Sequence, residues 1–214
     1  MLSMRHVRRL SDHYLYPNYG VHLYTVLRLS IFPMSWFEKL TKNLKGETLC
    51  LGCGYGVLET LLALDNSQLS ITASDLDEKR IVIAEKAVHD VPNIKFKVLD
   101  VTKIVPSGNY DVIIFADLLH HLGKGEQEKL LDILLAMLKN SGTLIMKDVD
   151  TTPRWKYWWN YLHDSLMAGQ PLNYKSSDYY AQYFRDKNNN VNMVKYTRWW
   201  LPYNHYALVV KKSA

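Results

Sequence analysis

One short segment constrains the chain more than any other: Leu49-Cys50-Leu51-Gly52-Cys53-Gly54-Tyr55-Gly56. An apolar run leads into three alternate glycines, and a helical pattern, Val57–Asp65, follows them. A backbone that must turn sharply and let a ligand lie directly on it needs glycine, because other residues pay sterically for such conformations. The next apolar run, Leu69–Ser74, ends in Asp75, 19 residues beyond Gly56. A carboxylate at the end of a second strand is placed to accept both hydroxyls of an adenosine ribose. Asp77 is a rival for that role and is equally suited to cap a helix that starts at Glu78.

The spacing of the glycines separates the nucleotide-binding alternatives. A dinucleotide fingerprint places its third glycine three positions after the second. That position is Val57, and Gly56 comes one residue early. The pattern G-x-G-x-G favours S-adenosylmethionine over a nicotinamide dinucleotide. No Gly-Lys-Ser/Thr follows, which disfavours a phosphate-cradling loop. Cys50 and Cys53 are the chain's two cysteines. They are too close for an unstrained disulfide across the fold and lack partners for a zinc set. They read as small residues in a buried turn, with a redox pair as the other reading, and such usage fits a reducing cytoplasm.

Around this segment, apolar runs alternate with helical patterns, the signature of a parallel sheet. The expected strands are Thr48–Leu51, Leu69–Ser74, Ile94–Leu99, Asp111–Phe115 and Gly142–Lys147. The expected helices are Val57–Asp65, Glu78–Val88 and Gln127–Leu138, the last with Leu130, Leu131, Leu134, Leu135 and Leu138 on one face. Runs such as Val112–Phe115 suit strands buried on both faces. A chain of 214 residues with 48% apolar and 22% charged residues can fill the core of one such domain and still keep a soluble surface.

The flanks read differently. Residues 1–45 form a basic helical segment in which Val7, Leu10 and Tyr14 share a face, while Arg5, Arg8, Arg9 and Asp12 lie elsewhere on the wheel. Pro17 and Gly20 interrupt it, a second helical piece runs from about Val21, and Pro33 breaks that. Beyond residue 150, Thr152 and Pro153 offer a cap and an N1 proline for a helix carrying Trp155, Trp158, Trp159, Leu162 and Leu166 at helical spacing. Gly169 and Pro171 end it. Asp178–Arg185 reads as a short helix. Val191–Trp199 and His205–Lys211 read as strands whose short connection demands antiparallel pairing. The expected organisation is an N-terminal helical cap or interface segment, 1–45, and one catalytic domain, 46–214, with an aromatic-rich substrate side at about 151–190.

In order, these motifs resemble those of the class I S-adenosylmethionine-dependent methyltransferases over roughly residues 46–150. The resemblance implies a doubly wound, Rossmann-like α/β fold with a mostly parallel seven-stranded sheet and a reversed antiparallel edge strand. It implies S-adenosylmethionine as cofactor, S-adenosylhomocysteine as product, and no metal. Gly52, Cys53, Gly54 and Gly56 match the family's first motif and Asp75 its ribose acid, with Leu76 beside it. Asp100, with Val101, matches the residue that receives the adenine amine. Tyr110–Asp117 matches the fourth strand, whose end faces the reacting methyl, so Asp117 is expected in the cofactor pocket. One departure stands out: Cys50 occupies a position where the family usually has an acid that helps hold the cofactor's ammonium end. Glu59 is a candidate to compensate, and a non-catalytic, cofactor-binding scaffold is the alternative.

Methyl transfer asks mainly for alignment and exclusion of water. In Asp117-Leu118-Leu119-His120-His121-Leu122, a histidine near the methyl can take a proton from a hydroxyl acceptor. Between His120 and His121 the reading leans to His121; the bland alternative is a histidine bonded to backbone. The aromatic tail with interleaved Lys and Arg suits an apolar small molecule or a membrane interface, or packs on the sheet. The segment Met146–Tyr157 resembles that of small bacterial methyltransferases associated with lipid-like products. The expected acceptor is therefore an oxygen, rather than carbon or nitrogen, of a hydrophobic small molecule or lipid. RNA is the alternative, since bases stack on exposed rings, but no appended RNA-binding module is recognisable. A net charge of +5 favours anionic partners. No secretory signal is evident, and the apolar stretch Val21–Phe32 falls short of the ~20 residues a membrane span needs. A cytoplasmic protein is expected, with peripheral contact at the inner membrane surface through its basic N-terminus.

Overall fold

In the computed structural model the described residues are Leu10, Tyr14, 19–103, 107–168 and 172–213. Val7, the basic residues Arg5, Arg8 and Arg9, and Asp12, Pro17, Gly169, Pro171 and the side chain of Leu166 lie outside them. Seven strands form one sheet in the order β3-β2-β1-β4-β5-β7-β6. The chain divides into two compact units, Met1–Asp100 and Val101–Ala214.

The first unit contains helices α1 (Tyr19–Ile31) and α2 (Met34–Thr41), then β1 (Gly46–Leu51), α3 (Val57–Asp65), β2 (Leu69–Asp75), α4 (Glu78–Ala87) and β3 (Ile94–Val98). Its three strands pair in parallel, Leu51 opposite Ser74 and Asp75 opposite Val98. The last four residues of β1 are buried, as expected for a strand covered on both faces. Asp77 caps α4, its carboxylate accepting from the backbone N–H groups of Lys79 and Arg80. Leu10 and Tyr14 are each 2% exposed, so the face expected around them is a packing face at those two positions. Helix α1 takes in Gly20 in its first turn, slightly before the expected start near Val21.

The second unit contains β4 (Tyr110–Ala116), a 3₁₀ turn (Leu119–His121), α5 (Glu126–Met137), β5 (Leu138–Val149), α6 (Arg154–Ala168), α7 (Ser177–Asp186), β6 (Asn190–Thr197) and β7 (Asn204–Lys211). Leu130, Leu131, Leu134 and Leu135 are buried along α5, the face their spacing indicates. β5 is longer than expected because the chain extends directly out of α5: Leu138 already pairs with Tyr110, before the irregularity that leads to Val112 opposite Thr143. β4 and β5 are parallel, whereas β7 runs antiparallel to both β5 and β6. The reversal expected at this edge is thus β7, inserted between two strands of the opposite direction.

One local expectation about α6 is corrected. Pro153 precedes the helix instead of occupying its first position, and its carbonyl accepts from Lys156 and Tyr157. The Thr152 carbonyl is taken by the Asn204 side-chain amide. Burial also decides between the two readings of the tryptophan face, which does not pack on the sheet: Trp155, Trp158, Trp159 and Leu162 are exposed, and among the described side chains of α6 Lys156 and Asn160 are the buried ones.

Candidate active site

In the first unit the site is built by the loop from β1 to α3. Gly52, Gly54 and Gly56 all have positive φ, 69°, 57° and 73°. At Gly56 a side chain would also meet the Phe96 ring at 2.5 Å, so both backbone and packing require glycine. Gly54 is different: a Cβ there would find only the Tyr24 hydroxyl, at 4.0 Å. Its surroundings are open, as a ligand lying along the backbone needs. Tyr14 fastens this loop, donating from its hydroxyl to the Tyr55 carbonyl at 2.8 Å and bonding Thr60 at 3.0 Å.

Asp75 ends β2 half-buried and braces the loop. One carboxylate oxygen accepts from Gly54 N–H at 2.7 Å and the other from Asp77 N–H at 3.0 Å. Each oxygen keeps a further lone pair for a hydroxyl. Its rival Asp77 is engaged in capping α4. Leu76 is 66% exposed, and Asp100 and Val101 are half-buried.

Cys50 is fully buried, and burial together with the nearby Glu59 holds its thiol far above the ordinary range. The same two causes, burial first, raise Cys53. Neither is a thiolate near neutral pH, which removes the reactive species a redox pair needs. Glu59, in the first turn of α3, is 4% exposed, and its Oε2 has no hydrogen-bond partner. Burial pushes its carboxyl up to about 7, against the lowering influence of its own backbone N–H and of Arg28. A buried, unpartnered carboxylate oxygen beside a glycine loop fits a cationic ligand group.

In the second unit Asp117 leaves β4 with φ 53°, a strained conformation for a non-glycine residue. It is held on both sides: its N–H donates to the Lys147 carbonyl at 2.9 Å, and its carboxylate pairs with the buried Lys147 ammonium at 2.6 Å. The two histidines that follow differ sharply. His120 is 3% exposed, with Nδ1 2.8 Å from Asp148 Oδ1 and Nε2 3.8 Å from Asp164 Oδ2. Its ring stacks on Tyr174 at 4.5 Å, and the Tyr174 hydroxyl donates to Asp164. Burial disfavours the His120 imidazolium, but Asp148, Asp117 and Asp164 together outweigh it, so its pKa is raised above 6.5. His121 is more exposed, and burial with the neighbouring His120 lowers its pKa.

Sequence reasoning assigned no role to Lys147, Asp148, Asp164 or Tyr174. Lys147 and Asp148 had a signal available: a charged pair ending an apolar strand, both residues 3% exposed or less. Asp164 and Tyr174 had none, since only the fold brings them to His120.

Fold and loop together define a Rossmann-like methyltransferase architecture. Residues 48–142 match the family model of a methyltransferase domain. No curated protein sequence matches the chain. Among solved structures it is similar to an O-methyltransferase family protein from Burkholderia thailandensis, with a TM-score of 0.69, 16% identity, and coverage of 91% of this chain and 59% of that one. The chain thus spans less than two thirds of that relative. It is also similar to magnesium protoporphyrin IX methyltransferase from Synechocystis PCC 6803 with bound S-adenosylhomocysteine, with a TM-score of 0.65, 18% identity, and coverage of 98% and 94%. A third is the N-methyltransferase NodS from Bradyrhizobium japonicum in complex with S-adenosylhomocysteine, with a TM-score of 0.63, 13% identity, and coverage of 98% and 97%. At these identities the likeness establishes the fold. Two of these structures hold S-adenosylhomocysteine. Among the described residues, no helix is long and apolar enough to cross a membrane.

Proposed function

We propose that the protein transfers the cofactor's methyl group to an oxygen of a hydrophobic small molecule or lipid-like acceptor, with His120 as the general base. The observation that carries this reading is the buried His120–Asp148 pair at 2.8 Å. A hydroxyl acceptor has to lose its proton as the methyl arrives, and a carboxylate that orients an imidazole and stabilises its protonated form serves that step. The expectation leaned to His121; the carboxylate partner belongs to its neighbour.

Bound S-adenosylmethionine supplies a methyl already activated by its sulfonium. The chain's own residues bind and orient it. Asp75 accepts the ribose hydroxyls, the open Gly54 backbone lies against the ligand, and Asp100, Val101 and Leu76 hold the adenine. Glu59 takes over from Cys50 the charge that faces the ammonium end. In the second unit Asp117 is fixed by Lys147, and the imidazole of His120, held by Asp148, removes a hydroxyl proton through Nε2.

The test uses methyl-labelled S-adenosylmethionine with the purified protein and a fractionated lipid extract, the labelled product being identified by mass spectrometry. A methyl ether or ester whose formation needs His120 supports the reading. An N-methyl or labelled RNA product refutes it.

A further inference from the structure

Five of the chain's six tryptophans lie in two short segments of the second unit, α6 and the connection between β6 and β7. Trp155, Trp158, Trp159, Leu162, Trp199 and Trp200 are between 52% and 86% exposed. On a helix the first four fall within one face, opposite the buried Lys156 and Asn160. The two segments meet: Lys156 Nζ donates to the Arg198 carbonyl at 2.8 Å, which ties the first turn of α6 to the residue just before Trp199. A monomer rarely leaves this much contiguous aromatic surface in water without a partner for it.

The charge around the patch is one-sided. Residues 151–163 and 190–203 contain Arg154, Lys156, Lys195 and Arg198 and no aspartate or glutamate; Lys195 pairs with Asp150 at 2.9 Å and Lys156 is buried, so the exposed cations beside the tryptophans are Arg154 and Arg198. The Arg198 guanidinium lies 5.8 Å from the Trp200 ring, and Lys156 Nζ lies 5.3 Å from that of Trp155. Tryptophan settles at the headgroup level of a bilayer, and cations beside it are drawn to anionic lipid.

We propose that α6 and the β6–β7 connection form a docking surface for an anionic lipid bilayer, with the tryptophans inserted among the headgroups and Arg154 and Arg198 beside lipid phosphates. This surface is distinct from the basic N-terminal segment and does not depend on the acceptor being a lipid.

The test is cosedimentation of the full chain with phosphatidylcholine vesicles, with and without phosphatidylglycerol, read together with tryptophan emission. Binding to the anionic vesicles with a blue-shifted emission is expected. W158S/W159S and W199S/W200S should each abolish the shift, and R154E/R198E should lower partitioning at least about tenfold, since each basic side chain near an anionic surface is worth roughly fivefold. All these positions are exposed, and circular dichroism checks that the variants fold. Binding that survives the tryptophan changes but is lost in R5E/R8E/R9E would move the contact to the N-terminus and overturn the proposal. So would absence of vesicle binding, whether with copurifying nucleic acid released by R154E/R198E or with a dimer dissolved by W158S/W159S. The measurement uses neither cofactor nor acceptor, so its failure leaves the O-methyl reading standing, and failure of that reading leaves the surface standing.

Discussion

Replacing Glu59 by Gln removes a buried charge whose cost the structure allows to be worked out. The carboxyl is 4% exposed, one oxygen is unpartnered, and burial raises it from 4.5 to about 7. Between those values the folded chain keeps a proton that the unfolded chain has released. Stability contributed by this group is therefore present below pH 4.5 and falls as pH rises through about 7. The displacement corresponds to about 3 kcal/mol. Gln cannot ionise, so Glu59→Gln should flatten this part of the profile. Relative to the parent, the variant should gain about 3 kcal/mol between pH 4.5 and pH 8, or roughly 6–12 °C in Tm for a chain of this length. Urea and thermal unfolding of both proteins without cofactor, across that range, give the difference directly, because other titrating groups cancel. The same carboxylate is assigned to the cofactor's ammonium end, so Glu59→Gln should also weaken S-adenosylhomocysteine binding. The parent, but not the variant, should release a proton on binding at pH 6, as read by calorimetry in buffers of different ionisation enthalpy. Parallel stability profiles for the two proteins would refute the reasoning.

Five further substitutions test separate parts of the site. Asp75→Ala should weaken binding of S-adenosylmethionine by about 1–3 kcal/mol, the cost of leaving hydroxyl partners unmade, with unchanged affinity in calorimetry ruling out the ribose assignment. Asp77→Ala should instead cost about 1 kcal/mol of stability in urea by removing the cap of α4, and a loss of cofactor affinity would return the ribose role to it. Gly56→Ala should destabilise by at least about 1–3 kcal/mol from backbone strain alone, to which the Phe96 contact adds; a neutral result would contradict the loop geometry. His120→Asn should lower kcat with a hydroxyl acceptor by about 10²–10⁴-fold. Because Asp148 raises the His120 pKa, Asp148→Asn should shift the acid limb of the rate profile to lower pH, and an unmoved limb would remove His120 as the base.

The parts of this molecule that were legible in sequence are those governed by local rules. Alternate glycines, an acid closing the second strand, and leucines at helical spacing each follow from short-range geometry, and all seven strands fall close to their expected positions. Cys50 was also legible, as a missing charge; the structure adds that Glu59, in the same unit, lacks a partner for one oxygen. The His120 environment was not legible. Asp148, Asp164 and Tyr174 reach it from three different elements, and no spacing rule links them. The tryptophan face had two readings because helical periodicity reports that a face exists and not what it meets. There the buried Lys156, whose ammonium finds the Arg198 carbonyl, shows that the polar side of α6 turned inward.

The position of β7 sets which residues this fold leaves open to change. Paired along both edges, it locks β6 on one side and β5 on the other, and a slip of one residue would turn Tyr206 and Leu208 away from their places in the sheet. Length changes inside either strand are therefore closed off. Between β6 and β7 the exposed Trp199 and Trp200 carry no such register constraint, whereas Arg198 is tied to Lys156 and Tyr203 is buried. The middle of the connection is therefore where residues can be exchanged or recharged to suit a different surface without disturbing the pairing of β7 with β5 and β6.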